Sequence, residues 1–173
     1  WREYMLYPFN GIMPEVDQTV FLAPGAAVVG RVTIGANSSI WYNAVVRGDT
    51  DKVTIGSGTN IQDGAVLHVQ EGFPLSIGDR VTVGHRVILH GCKVEDEAFI
   101  GMGAIVLNGA HVGAGAVVAA GALVLQGQKI PAGMLAMGHP AKVIRPLRAE
   151  ELETFQRAAT KYIKLADLHG RKS

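Results

Sequence analysis

The sequence has little of several features that mark particular classes of protein. Its one cysteine, Cys92, excludes an internal disulfide and favours a reducing compartment. Lysine and arginine (16) nearly balance aspartate and glutamate (15), so the net charge of +1 provides no basic surface for nucleic acid or an anionic membrane. No apolar run reaches the roughly 18 residues of a membrane span. The N-terminal stretch WREYMLYPFN lacks the pattern of a signal peptide, and we expect a soluble, cytoplasmic protein.

Aromatic residues are also scarce. They make up 6% of the chain, although 48% of its residues are hydrophobic and 22 are glycine. Aliphatic and small side chains must therefore fill the core. A length of 173 residues is typical of one domain, and this composition favours a repetitive, tightly wound backbone.

An aliphatic residue recurs every six positions through most of the chain. Glycine often follows it, as at Gly35 and Gly78, and a small residue often lies four places on, as at Ala44 and Ala104. This period is too long for strand alternation and does not fit a helical heptad. Six-residue repeats are typical of a parallel β-helix, a triangular prism in which three repeats form one coil and stacked coils bury the aliphatic columns.

Three irregularities interrupt the period. Three extra residues occur around 50–52 and four around 71–74, and the step from Leu89 to Val94 is one residue short. In a solenoid, insertions are expected to form loops on one side of the coils. Residues 149–168 instead follow a helical period. We therefore expect a mainly β protein, with a β-helix at residues 1–147 and a C-terminal helix packed on it within residues 148–173.

His68 and His90 occupy equivalent positions on successive coils. Each follows a core aliphatic residue, Leu67 or Leu89, and those two residues are 22 apart, which equals one 18-residue coil plus the four-residue insertion. Stacked strands lie about 4.8 Å apart, so two imidazoles in this arrangement can bind one metal ion. Arg47 follows Val46 in the same way, and Val46 precedes Leu67 by one 18-residue coil plus the three-residue insertion. Arg47 is therefore expected one coil before His68.

His85 belongs to a different column. It lies two residues after Val83, on the preceding face of the prism, and Asp63 holds the equivalent position one coil earlier. The extended chain between the faces keeps His85 away from the His68 and His90 pair of its own chain. A neighbour related by a threefold axis can supply His85 instead. Three neutral imidazoles with an open fourth position are typical of a catalytic zinc site.

The alternative for any single histidine at a turn is a solvated surface residue without a ligand. This is the default interpretation of His111, His139 and His169. The coil positions of His68, His85 and His90 favour the metal site for those three.

Four segments carry a family resemblance: NAVVRGD (43–49), NIQDGAVLH (60–68), VGHRVILHGC (83–92) and IGMGAIVLNGA (100–110). They resemble the γ-class carbonic anhydrase family of left-handed β-helix proteins, from about residue 10 to the C-terminal helix. The resemblance implies a homotrimer with Zn²⁺, or Fe²⁺ or Co²⁺, bound by two histidines of one chain and one of the next. In this sequence His68 and His90 match the first two, and His85 matches the third. The implied reaction is attack of a zinc-activated hydroxide on CO₂ to give bicarbonate.

The resemblance also implies catalytic roles for residues around the metal. Gln62 resembles the residue that contacts metal-bound water, Asn60 opens the same motif, and Tyr162 resembles a tyrosine that reaches the site from the C-terminal helix. Prototype members carry a long acidic loop with a proton-shuttle glutamate after the first histidine. Here the loop is only QEGFP, and Glu71 is the candidate substitute, its alternative being a solvated loop carboxylate. Slow CO₂ hydration, or another substrate, is therefore expected.

Other matching residues are expected at the contact between subunits. Arg47 and Asp49 resemble an intersubunit ion pair with Asp63 as its partner, and a structural role suits these three at least as well as a catalytic one. Trp41 and Tyr42 are expected to pack at the same interface.

Three rival functions remain open. The metal site could hydrolyse acyl-CoA thioesters, as in another branch of the same family. The segment GHPAKVIRPL resembles the closing motif of hexapeptide acyltransferases, but those enzymes use a histidine base without a metal. A non-catalytic trimeric structural protein is the third possibility, although such relatives often lack one ligand histidine and this chain has all three.

Overall fold

The computed structural model describes residues 5–170 as a parallel β-helix of about seven coils followed by a C-terminal helix. This confirms the expected fold class. Residues 1–4 and 171–173 of the two expected domain ranges lie outside the described residues. The elements are β1 (Leu6–Tyr7), β2 (Glu15–Val16), β3 (Phe21–Leu22), β4 (Ala27–Ile34), β5 (Ser39–Ile40), β6 (Val45–Ile55), β7 (Asn60–Ile61), β8 (Val66–His68), β9 (Leu75–Ile77), β10 (Thr82–Val83), β11 (Ile88–His90), β12 (Lys93–Val94), β13 (Phe99–Ile100), β14 (Ile105–Val106), β15 (His111–Val112), β16 (Val117–Val118), β17 (Leu123–Val124), β18 (Lys129–Ile130), β19 (Met134–Gly138), β20 (Ala141–Pro146) and α1 (Ala149–Gly170).

The strands form the three faces of a prism. Face 1 contains the first part of β6 with β8, β11, β14 and β17, and face 2 contains the last part of β6 with β9, β12, β15 and β18. Face 3 runs from β3 through β5, β7, β10, β13 and β16 to the hairpin of β19 and β20. Successive coils pair in parallel, and the final hairpin is antiparallel.

The two insertions behave differently. The residues around 50–52 form no loop, contrary to expectation: β6 runs unbroken around the corner from face 1 to face 2 and pairs with β4. A register shift between Gly30 and Val32 of β4 accommodates the difference in length. The second insertion does form a tight turn, closed by backbone hydrogen bonds between Gln70 and Phe73. We call residues 70–73 the β8–β9 turn.

Each face sends one aliphatic column into the core, which confirms the six-residue pattern. Burying an aliphatic side chain of this size stabilises a fold by about 1.5–3 kcal/mol, so the three columns are the main source of stability. Alanines at the corners, such as Ala44, Ala65 and Ala104, are fully buried where the chain turns. The columns consist of Val28, Val46, Leu67, Leu89, Val106 and Val124 for face 1; Ile34, Ile55, Ile77, Val94, Val112 and Ile130 for face 2; and Leu22, Ile40, Ile61, Val83, Ile100 and Val118 for face 3.

The outward-facing rows of the three faces differ in character. The row on face 3 includes Ser39, Asn60 and Thr82, which are each 1% exposed, and α1 packs on this face at β3, β5 and β7. The row on face 2 is polar and open to solvent: Thr54, Ser76, Lys93, His111 and Lys129. The row on face 1 is apolar, and no helix or strand of residues 5–170 covers it: Val45, Val66, Ile88, Ile105 and Leu123.

Helix α1 runs back along face 3 toward the first coils. At its start, Glu151 accepts a hydrogen bond from the backbone N–H of Arg148 at 2.9 Å and pairs with both terminal nitrogens of Arg145 at 2.8 Å, which ties the helix to β20. Phe155 then meets Phe99, with ring centroids 4.6 Å apart. Within residues 5–170, no helix has the length and apolar character needed to cross a membrane.

The far end of α1 covers Trp41. The ring centroids of Trp41 and Tyr162 are 5.2 Å apart, and Nε1 of Trp41 donates to Ser39 Oγ at 2.9 Å. The side chain is 5% exposed in a single chain. The expectation that Trp41 packs against another subunit is therefore wrong, because the chain's own helix covers it.

Candidate metal centre

His68 and His90 lie side by side at the ends of β8 and β11, as the coil count predicts. The two residues are paired in register, and their ring centroids are 5.0 Å apart. Nδ1 of His68 lies 3.0 Å from Nε2 of His90. The two imidazoles therefore point ring nitrogens at the same small volume at one edge of face 1.

The other ring nitrogen of each histidine faces an oxygen acceptor. His68 Nε2 lies 2.9 Å from Asp49 Oδ1, and His90 Nδ1 lies 2.6 Å from Asn108 Oδ1. In neutral rings these contacts place both N–H groups on the outer side, a tautomer inferred from the acceptors. The lone pairs of the inner nitrogens then face each other.

This arrangement fits a metal ion. Two facing lone pairs repel, and a cation between them relieves the repulsion. Tetrahedral zinc with bonds of about 2.0–2.1 Å holds its nitrogens roughly 3.3 Å apart, so a small outward movement of the rings accommodates the ion. Metal-binding histidines also typically donate their second N–H to an oxygen, as His68 and His90 do.

Asp49 is ionised at neutral pH. Burial raises the pKa of its carboxyl, but hydrogen bonds from His68, the backbone N–H of Thr50 and Arg47 outweigh this and lower the pKa to about 2. Arg47 and Asp49 form their ion pair within one chain. Asp49 therefore presents an anionic acceptor to His68, and the link to a neighbour's Asp63 stays a prediction.

His85 lies at the opposite edge of face 1, on the turn between β10 and β11. Its Nδ1 is 2.7 Å from Asp63 Oδ2, and the two side chains are 44% and 41% exposed. The register of Val83 with Ile61 confirms the second column. Asp63 thus fixes the N–H at Nδ1, and Nε2 is the nitrogen that remains for a ligand.

The three histidines do not meet in one chain. Among residues 5–170, no three histidine, cysteine or acidic side chains are grouped to bind one metal ion. One chain instead carries His68 and His90 at one edge of face 1, which we call the two-histidine part, and His85 at the other edge. Metal binding by His68, His85 and His90 together stays a prediction.

A buried chain of hydrogen bonds orients Gln62, next to Asp63. Asn60 Nδ2 donates to Thr82 Oγ1 at 2.9 Å, and Gln62 Nε2 donates to Asn60 Oδ1 at 3.1 Å. Asn60 is 1% exposed beneath α1, so it does not reach the surface of a single chain. Within one chain Asn60 orients the amide of Gln62, and its catalytic role stays a prediction.

Tyr162 and Glu71 have contrasting surroundings. Burial, followed by the negative charge of Asp63, raises the pKa of Tyr162 above its usual value, so its hydroxyl stays protonated and can donate a hydrogen bond. Glu71 lies exposed at the tip of the β8–β9 turn. Neither residue's catalytic role is tested by these contacts.

The sequence interpretation missed two residues beside His90. Asn108 accepts from His90, and its Nδ2 donates to Gln70 Oε1 at 2.7 Å. The coil count could have found Asn108, which is 18 positions after His90. Gln70 belongs to an insertion, where the count gives no position.

Two of the remaining histidines have polar partners at the surface. His169 Nδ1 lies 3.0 Å from the Tyr42 hydroxyl, and its ring centroid is 5.1 Å from that of Trp41. His111 Nε2 lies 2.9 Å from Glu95 Oε1 on face 2. Both therefore lie at the surface, as expected, but each contacts a neighbouring side chain.

Comparison with known sequences agrees with the repeat pattern. The family described as bacterial transferase hexapeptide (six repeats) matches residues 91–126. A probable carbonic anhydrase of Methanocaldococcus jannaschii is 51% identical over 88% of this chain and 96% of its own length. The mitochondrial gamma carbonic anhydrase 2 of Arabidopsis thaliana is 49% identical over 91% of this chain, which spans 59% of that longer protein.

A solved structure is also closely similar. A Bacillus cereus protein described as an acetyltransferase superposes with a TM-score of 0.96 at 44% identity, over 98% of both chains. Similar proteins thus include some named carbonic anhydrases and some described as acetyltransferases.

Proposed function

Because this chain belongs to the gamma carbonic anhydrase family of hexapeptide-repeat proteins, we propose that it is a metal-dependent hydratase that interconverts CO₂ and bicarbonate at sites between the subunits of a homotrimer. The observation that carries this proposal is the pair of ring nitrogens of His68 and His90, 3.0 Å apart with their outer nitrogens facing oxygen acceptors. The single cysteine, which cannot form an internal disulfide, favours a reducing compartment such as the cytoplasm.

His68 and His90 of one subunit and His85 of the next would hold the ion, with Zn²⁺ as the first candidate and Fe²⁺ or Co²⁺ as alternatives. All three are neutral-nitrogen ligands, and each has its other nitrogen held by an oxygen of Asp49, Asn108 or Asp63. Once bound, the ion supplies an activated hydroxide nucleophile near neutral pH.

The outward row of face 1 supports the trimer. Val66 and Ile88 are 41% and 39% exposed in one chain, although they belong to a continuous apolar row. The other two faces need no partner, because α1 covers face 3 and the row on face 2 is polar. The two-histidine part and His85 lie at opposite edges of face 1, so a head-to-tail contact that closes after three subunits brings each pair to a neighbour's His85.

Gln62 and Tyr162 are the candidates for handling the substrate. The bond to Asn60 holds the Gln62 amide by its nitrogen and leaves Oε1 as an acceptor for a proton of the nucleophile. The protonated Tyr162 hydroxyl would donate to an oxygen of bicarbonate. Glu71 is placed on the exposed β8–β9 turn, where it could pass protons to solvent but is not held near the histidines.

Acyl-CoA thioester hydrolysis at the same site is the second candidate. The observation in its favour is the close structural match to a protein described as an acetyltransferase. The same three histidines would serve, and the difference lies in whether the nucleophile attacks CO₂ or an acyl carbonyl.

A side-by-side assay tests the proposal. The protein is loaded with Zn²⁺, and separately with Co²⁺ or Fe²⁺, and is then assayed for CO₂ hydration by stopped flow and for hydrolysis of acetyl-CoA. We expect hydration that His90→Ala abolishes, while His139→Ala on the exposed final hairpin leaves it unchanged. Hydrolysis without hydration would establish the second candidate, and the absence of both in metal-loaded trimer would favour a structural role.

A further inference from the structure

We propose that Asn108 and Gln70 are positioning residues that fix the tautomer and orientation of His90 for metal binding, and that the short β8–β9 turn serves as their support. The inference rests on the proposed function, since it concerns a ligand of the same site. It assigns a role to a turn for which the sequence indicated only the loss of an acidic loop.

The Asn108 amide is held in one orientation by its two partners. Its Nδ2 donates to Gln70 Oε1 at 2.7 Å, and this contact turns Oδ1 toward Nδ1 of His90 at 2.6 Å. The reversed amide would place an N–H against the Nδ1–H of the tautomer that binds metal through Nε2. Gln70 therefore selects the orientation of Asn108, and Asn108 selects the tautomer of His90.

The β8–β9 turn is itself anchored against the coil that carries His90. Phe73 lies over Gly91, where an added Cβ would come within 2.7 Å of Phe73 Cβ and 2.6 Å of Asn108 Oδ1. Gly91 also has a φ of +53°, which a residue with a side chain rarely adopts. The glycine thus lets Phe73 and Asn108 approach closely, and the backbone bonds between Gln70 and Phe73 close the turn.

Two different acceptors therefore hold the two histidines of one chain. His68 has the carboxylate of Asp49, whereas His90 has a neutral amide. A carboxylate raises the basicity of an imidazole ligand more than an amide does, so Asn108 fixes geometry while adding no charge. This difference predicts that Asn108→Asp keeps the positioning function and that Asn108→Ala removes it.

Zinc affinity, measured by competition with a chromophoric chelator, tests this chain of contacts. We expect Asn108→Ala to weaken zinc binding by about 10–100-fold, the range typical of lost outer-shell hydrogen bonds. Asn108→Asp should restore most of the affinity, and Gln70→Leu should weaken binding less than Asn108→Ala does. Gln128→Ala is the matched control: it removes an amide that accepts from the backbone N–H of Leu125 in its own turn and donates to the carbonyl of Ala141, and it should leave zinc affinity unchanged.

A second measurement does not need the metal. In metal-free protein, ¹⁵N NMR of histidine reports which ring nitrogen carries the proton, and we expect His90 to be protonated at Nδ1 in the wild type and mixed in Asn108→Ala. If the wild type binds no zinc, the proposed function fails. An unchanged His90 tautomer in Asn108→Ala, or unchanged zinc affinity in a wild type that binds zinc, overturns the inference itself.

Discussion

Nδ1 of His68 and Nε2 of His90 lie 3.0 Å apart across two adjacent strands, with no residue of the chain between them. This spacing results from the length of the coil, because each side chain leaves the strand at the same position. The pair is therefore set by the backbone ladder between β8 and β11. Several measurable consequences depend on it and on the face that carries it.

Removing one ligand should release the metal. We expect wild-type protein to bind about one ion per subunit, as three shared sites per trimer require. His90→Ala should lower this content severely, because a two-histidine remainder binds zinc weakly. Metal analysis after gel filtration measures the loss. His111→Ala, which removes an imidazole on face 2, is the control, and full metal retention by His90→Ala would contradict the site.

Mixing two inactive variants should restore part of the metal. His85→Ala retains the two-histidine part, and His90→Ala retains His85. In a trimer that contains both kinds of subunit, one of the three contacts joins the intact His68 and His90 of a His85→Ala subunit to the intact His85 of a His90→Ala subunit. We therefore expect co-refolded mixed trimers to recover about one third of the wild-type metal. No recovery would show that the ligands come from one chain.

A charge on face 1 should dissociate the oligomer. Ile88 is 39% exposed in one chain and is expected to be buried between subunits. Ile88→Glu removes apolar surface from each contact and introduces a charge there that is costly to bury without a partner. Analytical ultracentrifugation should show monomers, with loss of metal. Ser76→Glu on face 2 should leave a trimer, and trimers of Ile88→Glu would exclude face 1 as the interface.

Acid should loosen the start of α1. The ion pair with Arg145, followed by the backbone N–H of Arg148, lowers the pKa of Glu151 from the usual 4.5 to about 2. A carboxyl whose pKa is lower in the folded state than in the unfolded state stabilises the fold at pH values above the unfolded pKa. This contribution is lost as the pH falls from about 4.5 toward 2. Glu151→Gln should therefore be less stable than wild type at neutral pH and similar to it near pH 2. Thermal unfolding at several pH values checks this, with Glu150→Gln as the control.

Cys92 should resist thiol reagents in the folded protein. Burial raises the pKa of its thiol to about 12, so little thiolate forms at pH 8 and the sulfur is not accessible. We expect reaction with a disulfide reagent only after unfolding in denaturant. An exposed thiol introduced by Ser76→Cys, in a Cys92→Ala background, should react at once. Rapid modification of native Cys92 would indicate that its coil opens.

The sequence predicts the columns well, because a period of six residues fixes which side chains share a face. It also places His85 with Asp63 and His68 with His90, since counting in coils needs no knowledge of packing. It does not predict that β6 continues around a corner through residues 50–52, because three extra residues can lengthen a strand or form a loop, and the residue count is the same in both cases. Nor does it predict that Trp41 is covered by α1, which depends on where a distant helix lies.

Helix α1 is synthesised after every strand that it covers. Ser39, Asn60 and Thr82, in the early and middle coils, are therefore open to solvent while the later coils are still being made, and they are buried only when residues 149–170 have left the ribosome. The β-helix can stack coil by coil in the order of synthesis, and the hydrogen bonds from Gln62 to Asn60 and from Asn60 to Thr82 need only the coils of face 3. A nascent chain can thus acquire its core and the ordered amide of Gln62 before α1 shields that face from solvent.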